Sequence, residues 1–375
     1  MPGVMRRRPM RLLMTADAVG GVWQYATDLA RGLADHQIET TLAILGPAPT
    51  AQALERALAI PGLRVVITGL RLDWTAESPA EVAQAGRALA DLARSERADL
   101  VHLNSPALAA EARFHVPVVG ICHSCVATWW QAVRGGPLPQ DFVWRTRLLA
   151  RGYGRADALT APTAAFARMT ANVYGMGAPH VVHNGRRARA LSSAAESAAF
   201  VFTAGRLWDD GKNLAALDRA AARLNFPVIA AGPLAGPNGA AIAFPNLRTL
   251  GRLDDEEIDE WLAQRPIFAS VPRYEPFGLA VLEAAQAGCA LLLSDIPTLR
   301  ELWDGAALFV DPDDCDAIAS AIQTISDDGA RRDAFGAAAR ERSRAYTVEA
   351  MAAGMRGIYD SVLAREAARP REAVA

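Results

Sequence analysis

Short apolar runs and amphipathic stretches alternate along the whole chain. The apolar runs have the length and composition of strands that are buried on both faces. The stretches between them place apolar residues at helical spacing, as Val22, Tyr25, Leu29 and Leu33 do after the first run. Strands that alternate with helices predict an α/β protein built on parallel sheets.

The predicted strands fall into two series with a polar, basic stretch between them. The first series is predicted at residues 11–14, 41–45, 65–68, 100–103, 116–121 and 158–160. The second series is predicted at residues 200–204, 227–231, 248–250, 267–270, 290–293 and 307–310. A helix is also predicted at 318–325, where Asp313 and Asp316 come before the apolar run, and another near 348–365.

A chain of 375 residues is longer than one ordinary core and fits two domains. We therefore predict two Rossmann-like domains, a linker between them and a C-terminal helix that ends in a frayed tail. The predicted ranges are 1–183 for the N-terminal domain, 184–198 for the linker, 199–347 for the C-terminal domain and 348–375 for the helix and tail.

Composition narrows the class of protein. A net charge of −2 gives no general attraction to polyanions, so no nucleic-acid partner is predicted. The four cysteines are too few for a disulfide framework, and Cys122 and Cys125 lack the second ligand pair of a structural zinc site. The apolar run near the start is too short for a signal peptide or a span. These features predict a cytoplasmic protein with no bound metal and no transmembrane segment.

Glu275 and Glu283 lie on either side of a Pro-Phe-Gly-Leu turn. Residues Phe277, Gly278 and Leu279 are predicted to open a helix, whose unpaired N–H groups can bind a diphosphate or a sugar oxygen. The two carboxylates suit hydroxyl groups instead. Amide donors for phosphate beside carboxylate acceptors for hydroxyls predict a site for a nucleotide sugar.

A second cluster follows the first strand of the second series. Arg206 and Lys212 are predicted to face the start of a helix, where both cations can bind a diphosphate. The segment is not a P-loop, because five residues separate Gly205 from Gly211 and Asn213 stands where Ser or Thr would be needed.

These motifs together resemble those of the retaining glycosyltransferases of family 4. The resemblance implies an α/β fold of the GT-B type, with two Rossmann-like doubly wound lobes and an interdomain cleft. It implies that Glu275 lies at the donor sugar, that Glu283 holds the ribose hydroxyls, and that Arg206 and Lys212 bind the diphosphate. The implied reaction moves a hexose from a nucleotide diphosphate sugar to an acceptor hydroxyl without a metal or other cofactor. UDP-glucose, which is common in the family, is the expected donor, and GDP-mannose and ADP-glucose stay open. Lys212 lies six residues after Arg206, one more than the commoner spacing in the family.

The resemblance implies further site residues in both halves of the chain. The N-terminal domain would bind the acceptor and the C-terminal domain the nucleotide sugar. His123 would lie near the donor sugar and, with Glu275, Arg206 and Lys212, form the catalytic group. The remaining assignments are Gly20, Gly21 and Arg252 to donor binding and Asp17 to acceptor binding.

Trp129 and Trp130 are predicted in a loop after His123, where indole rings can stack on a sugar or an apolar acceptor. They could equally fill the core of the first domain. Arg145, Arg147, Arg151 and Arg155 are predicted on one helix, either as a solvated face or as the side that meets a membrane surface.

The sequence does not identify the acceptor, which is a carbohydrate, a lipid-linked molecule or a small molecule. Two rival functions also stay open, a nucleotide-sugar epimerase of the same architecture and a two-lobed sugar-binding protein without catalysis. The epimerase would need an acid and a base beside one sugar carbon, and only Glu275 and Glu283 are candidates.

Overall fold

A computed structural model of the chain describes residues 8–188, 198–236, 239 and 241–368. These residues form two compact units, and each unit has its own sheet. The first unit comprises the described parts of Met1–Thr128, Pro137–Gly185 and Val348–Ala375, and the second comprises Trp129–Gly136 and the described parts of Arg186–Thr347. Residues 189–197 of the predicted linker and 369–375 of the predicted tail lie outside the described residues.

The sheet of the first unit is entirely parallel. Its strands are β1 (Met10–Asp17), β2 (Ile38–Leu45), β3 (Leu63–Ile67), β4 (Leu100–Leu103), β5 (Val118–Ile121), β6 (Ala158–Ala161) and β7 (His180–Val181). They lie in the order β3-β2-β1-β4-β5-β6-β7. The six predicted strands are confirmed. The seventh, β7, was missed because two exposed residues at an edge leave no apolar pattern.

Helices connect these strands. They are α1 (Gly21–Ala34), α2 (Ala51–Leu58), α3 (Pro79–Ser95), α4 (Val126–Val133), α5 (Gln140–Arg155) and α6 (Ala164–Tyr174). Side-chain caps explain several starts, since Ser78 accepts from the N–H of Glu81 at the start of α3 and Thr163 accepts from the N–H of Phe166 at the start of α6.

The second unit repeats the pattern with a six-stranded parallel sheet. Its strands are β8 (Val201–Ala204), β9 (Val228–Ala231), β10 (Arg248–Gly251), β11 (Ile267–Ser270), β12 (Ala290–Ser294) and β13 (Leu308–Val310), in the order β10-β9-β8-β11-β12-β13. All six were predicted, with ends that differ by one residue or so.

The helices of the second unit are α7 (Leu214–Ala221), α8 (Asp255–Ala263), α9 (Leu279–Ala287), α10 (Pro297–Trp303), α11 (Cys315–Asp327) and α12 (Gly329–Ser343). The chain then returns to the first unit with α13 (Val348–Ala368). Among the described helices, none combines the length and apolar composition needed to span a bilayer.

Alternate residues of the central strands are buried on opposite faces of the second sheet. Phe202 and Phe268 pack in one cluster with α9, whereas Val201 and Ile267 pack in another with α11. In the first unit, α13 closes one face, where Tyr359 joins the cluster formed by β1 and α1. This two-sided burial explains why the strands read as continuous apolar runs.

One local prediction was wrong, and the helix start predicted at Asp313 and Asp316 is confirmed. Trp129 and Trp130 lie in helix α4 rather than in a loop. Helix α11 is capped by Asp314, whose carboxylate accepts from the N–H of Ala317 at 2.8 Å, while Asp313 forms an ion pair with Arg273. A short run of acidic residues does not reveal which one caps the helix.

Candidate functional site

The turn before α9 has the form that the sequence predicts. Gly278 adopts a left-handed conformation, with φ of 89°, and caps the helix without a side-chain hydrogen bond. A Cβ at this position would lie 3.2 Å from Val281 Cγ2 and 3.4 Å from Glu275 Cγ, so the turn favours glycine. The Phe277 ring is buried. The backbone N–H of Phe277, predicted to be unpaired, donates to Oε1 of Glu275 at 3.4 Å, so the backbone of Leu279 is left to meet a ligand. The amino terminus of α9 can therefore bind an anion.

Lys212 and Glu275 form an ion pair in this turn. The Nζ of Lys212 lies 2.5 Å from Oε2 of Glu275, and their side chains are 22% and 13% exposed. Lys212 ends a short 3-10 helix, Asp210–Lys212, and the carbonyl of Gly211 in that helix accepts from the N–H groups of Arg273 and Tyr274. The residues predicted for the diphosphate and the donor sugar thus lie together.

Lys212 is also the only lysine in a chain that otherwise uses arginine for its cationic side chains. Sequence reasoning missed this signal. A lysine carries a compact, rotatable ammonium, whereas arginine carries a rigid planar fork. The position therefore favours a small cation that can change partners.

Asp209 organises the loop that carries Arg206. Its Oδ2 accepts from Nη2 of Arg206 at 2.9 Å, and its Oδ1 accepts from Nε1 of Trp129 at 3.0 Å and from the N–H of Gly211 at 2.9 Å. Burial works against the charge of this carboxyl, but the neighbouring cations outweigh burial and lower its pKa. Asp209 was not among the predicted residues, although it lies three positions after Arg206.

The segment Trp129–Gly136 packs on the same loop. Arg134 forms an ion pair with Asp210 and lies over the Trp129 ring at 5.9 Å. A Cβ at Gly211 would lie 2.6 Å from Nε1 of Trp129, so glycine permits this contact. The Trp130 ring centroid lies 6.3 Å from that of Trp129. The acceptor roles of both indoles stay predictions.

Glu283 has a cationic partner that the sequence did not reveal. Nε of Arg186 donates to Oε1 of Glu283 at 2.8 Å, and Nη2 of the same guanidinium donates to the same oxygen. The arginine side chain is 7% exposed and the glutamate 20%. Gln286, one turn further along α9, donates to the carbonyl of Arg186 at 3.0 Å. Arg186 therefore fixes the carboxylate that is predicted to hold ribose.

Three glycines lie at the carboxyl ends of neighbouring strands of the second sheet. The N–H of Gly232 donates to the carbonyl of Gly251 at 2.7 Å, and a Cβ on Gly232 would lie 1.7 Å from the carbonyl oxygen of Gly205. These backbones meet at the carboxyl ends of their strands, where α/β sheets bind ligands. Arg252 follows directly and is exposed, and its contact with the nucleotide stays a prediction.

The predicted glycine loop of the first unit lies between β1 and α1. Asp17 ends β1, and its Oδ1 accepts from the N–H of Val19 at 2.9 Å. Gly20 is the N-cap of α1 and Gly21 its first residue. With no side-chain cap and no acidic residue in the first turn, the start of α1 offers N–H groups to a ligand.

His123 follows β5 and belongs to a polar cluster inside the first unit. Its Nε2 lies 2.7 Å from Oδ1 of Asn104, and Nε2 of His102 lies 3.0 Å from the same oxygen. Burial lowers the pKa of His102 to about 4, and burial together with the nearby His102 lowers the pKa of His123 to about 3. Both rings are therefore neutral at pH 7. His102 and Asn104 were missed, although a polar H-x-N pattern closes the otherwise apolar strand β4.

No group of three or more histidine, cysteine or carboxylate side chains among the described residues could hold a metal ion.

The fold of this chain is the GT-B fold of glycosyltransferases, as the sequence predicts. Sucrose-phosphate synthase from Thermosynechococcus elongatus superimposes with a TM-score of 0.77 at 18% identity, covering 95% of this chain and 100% of that one. Anabaena Alr3699/HepE, solved with UDP-glucose, gives a TM-score of 0.74 at 19% identity, covering 94% of this chain and 100% of that one.

Sequence comparison agrees with the fold. The models of Glycosyltransferase Family 4 and Glycosyl transferases group 1 match residues 19–188 and 242–342. The chain belongs to the family 4 type of glycosyltransferases. O-antigen chain mannosyltransferase B of Escherichia coli is 37% identical over 86 residues, 23% of each chain. The matches span 23% and 33% of the first two curated relatives.

Proposed function

We propose that the protein is a retaining hexosyltransferase that moves a sugar from a nucleoside diphosphate donor to an acceptor hydroxyl without a metal. The observation that carries this proposal is the contact between Lys212 and Glu275 at the open amino terminus of α9. UDP-glucose is the first candidate donor, since it is bound by the structurally similar Anabaena protein. GDP-mannose is the second, because a curated relative is a mannosyltransferase.

The ion pair gives Lys212 two successive roles. Before the donor binds, the ammonium neutralises Glu275; when the diphosphate arrives, it turns to the phosphate oxygens, where Arg206 and the first N–H groups of α9 also donate. Glu275 is then released to accept a hydrogen bond from a hydroxyl of the sugar. The two cations stabilise the charge that grows on the leaving diphosphate, which favours the transition state over the bound donor.

The proposal also assigns residues to the rest of the donor and to the acceptor. Glu283, held by Arg186, accepts from the ribose hydroxyls, and the backbone near Arg252 meets the base. His123 lies at the donor sugar. The first unit supplies Gly20 and Gly21 to the donor and Asp17 to the acceptor, and the segment that carries Trp129 and Trp130 also faces the acceptor. The acceptor is a carbohydrate, a lipid-linked molecule or a small molecule.

The location proposed is the cytoplasm, because all four cysteines are free, as is usual in a reducing compartment. A peripheral membrane contact through α5 has weaker support. Arg145 donates to the carbonyls of Asp73 and Ala76, and Arg151 pairs with Glu111, so two of the four arginines already have partners within the first unit.

The test is calorimetric titration with UDP, GDP and ADP in the presence of a chelator, beside donor turnover. We expect one diphosphate to bind and, at a hundred times its Kd, to stabilise the protein by about 2.7 kcal/mol. Arg206→Ala should weaken binding of the diphosphate more than binding of the nucleoside, because the phosphates are the only part of the donor that its guanidinium is proposed to contact. The matched control is Arg223→Ala, which removes an exposed arginine of the same unit. Failure of all three diphosphates to bind would refute the donor site, whereas binding lost only in chelator would refute metal independence.

A further inference from the structure

Asn104 lies between two histidines, and its orientation is fixed from the other side. Its Nδ2 donates to the carbonyl of Thr15 at 2.6 Å, and its backbone N–H donates to Oγ1 of Thr15 at 3.0 Å. The side-chain oxygen must therefore face the two rings. Because an amide oxygen only accepts, Nε2 of His102 and Nε2 of His123 both carry a proton.

The contact made by the other ring nitrogen of His102 supports this assignment. Its Nδ1 lies 2.6 Å from the hydroxyl of Tyr359 in α13, and both residues are fully buried. Burial raises the pKa of that hydroxyl well above its usual value, so it keeps its proton and donates it to Nδ1. A neutral His102 ring with its proton on Nε2 can donate to Asn104 and accept from Tyr359 at the same time.

The same logic leaves His123 with a proton on Nε2 and a lone pair on Nδ1. The ring of Tyr25 from α1 meets it edge-on, with centroids 4.6 Å apart. Tyr25 and Tyr359 are ionisable groups that contact the histidine pair, and burial raises the pKa of both hydroxyls. None of these groups would stabilise a charged imidazole.

We infer that Asn104 is a positioning residue that fixes the tautomer of His123, so that Nδ1 accepts a hydrogen bond from a hydroxyl of the sugar substrate. His123 then acts as an acceptor and never as the proton donor of the reaction. The identity of the hydroxyl-bearing substrate rests on the proposed function. The tautomer itself rests only on Asn104, Thr15 and Tyr359.

The first experiment is long-range ¹H–¹⁵N NMR of the histidine rings in the full-length protein, with signals assigned through His102→Asn and His123→Asn. We expect both rings to show the neutral pattern with the proton on Nε2, unchanged between pH 5 and 8. A proton on Nδ1 of His123, or titration of either ring within that range, would overturn the inference. This measurement needs no activity and no variant of Asn104.

The second experiment replaces Asn104 with aspartate, which keeps the size of the side chain, places a charge beside both rings and removes the donor to the Thr15 carbonyl. An adjacent opposite charge raises a histidine pKa by about 1–3 units. From its value of about 3, the pKa of His123 should therefore rise to about 4–6, and kcat should fall as pH falls through that new pKa because Nδ1 of His123 becomes protonated. The affinity for the nucleoside diphosphate should not change. The control is Asn172→Asp, on the exposed face of α6.

A pH profile of Asn104→Asp identical to that of the wild type would refute the positioning role. If the wild-type rings show the expected tautomers but no nucleotide sugar is turned over, the proposed function fails and the tautomer assignment stands.

Discussion

The ion pair between Arg186 and Glu283 gives the sharpest test of the second unit. Replacing Arg186 with methionine keeps much of the side-chain volume but removes both donors from Oε1 of Glu283. The carboxylate is only 20% exposed, so water could replace the lost arginine only poorly. Removing one partner of a buried pair costs about 3–5 kcal/mol. Because Glu283 keeps some exposure, we expect Arg186→Met to lower the unfolding free energy by about 3 kcal/mol, near the lower end of that range.

The double variant, Arg186→Met with Glu283→Gln, separates stability from binding. With both charges gone, no buried ion is left unpaired, and we expect unfolding free energy to recover to within about 1 kcal/mol of the wild type. The ribose acceptor is still missing in this variant. Nucleoside diphosphate affinity should therefore stay weakened, by about 1.5–3 kcal/mol for a lost charged hydrogen bond.

The assays are urea denaturation, followed through amide exchange of β11 and β12, and calorimetric titration with the diphosphate. The control is Arg223→Met, which breaks an exposed pair with Asp316 and should cost less than about 1 kcal/mol. A loss below 1 kcal/mol in Arg186→Met, or a double variant as unstable as that single variant, would refute the reasoning.

Three further outcomes are expected. Glu275→Gln should lower kcat in steady-state assays while calorimetric affinity for the diphosphate is kept, because this carboxylate meets the transferred sugar; a large loss of affinity would contradict that role. Because folding lowers the pKa of His102 to about 4 and that of His123 to about 3, the unfolded chain binds more protons below its own histidine pKa of about 6.5. The unfolding free energy of the wild type should therefore fall by up to about 1.4 kcal/mol for each histidine and each pH unit as pH falls from 6.5 towards 4. Denaturation at pH 7 and pH 5 should show a smaller difference in unfolding free energy for His123→Asn than for the wild type. Gly232→Ala should lower the melting temperature sharply, because φ is 144° and a Cβ would lie 1.7 Å from a carbonyl oxygen, and an unchanged melting temperature would show that the turn can relax.

The fold could be predicted from the sequence because each central strand is buried on both faces. Such strands appear as short apolar runs, and both series were found in this way. Strand β7 has no such signal, since both of its residues are exposed. Helix α4 was missed because it is short and the two adjacent tryptophans suggest a ligand-binding loop more readily than a helix.

The site could be predicted only where its chemistry is local. The turn around Gly278 and the positions of Glu275 and Lys212 follow from neighbours in sequence. The pair of Arg186 with Glu283 joins residues 97 positions apart, and the cluster of His102 with Tyr359 joins residues 257 apart. Such pairings depend on how strands and helices are ordered in each unit, which no single motif specifies.

The most direct test of the proposed reaction is ¹H NMR of donor turnover by the wild-type protein in the presence of a chelator. UDP-glucose and GDP-mannose are supplied in turn, with water as the acceptor, and the first-formed anomer of the free sugar is recorded before mutarotation. We predict release of UDP from UDP-glucose with the α-anomer appearing first, and no release by Lys212→Ala. Appearance of the β-anomer first would contradict retention, and turnover of neither donor would contradict the assignment of the donor site.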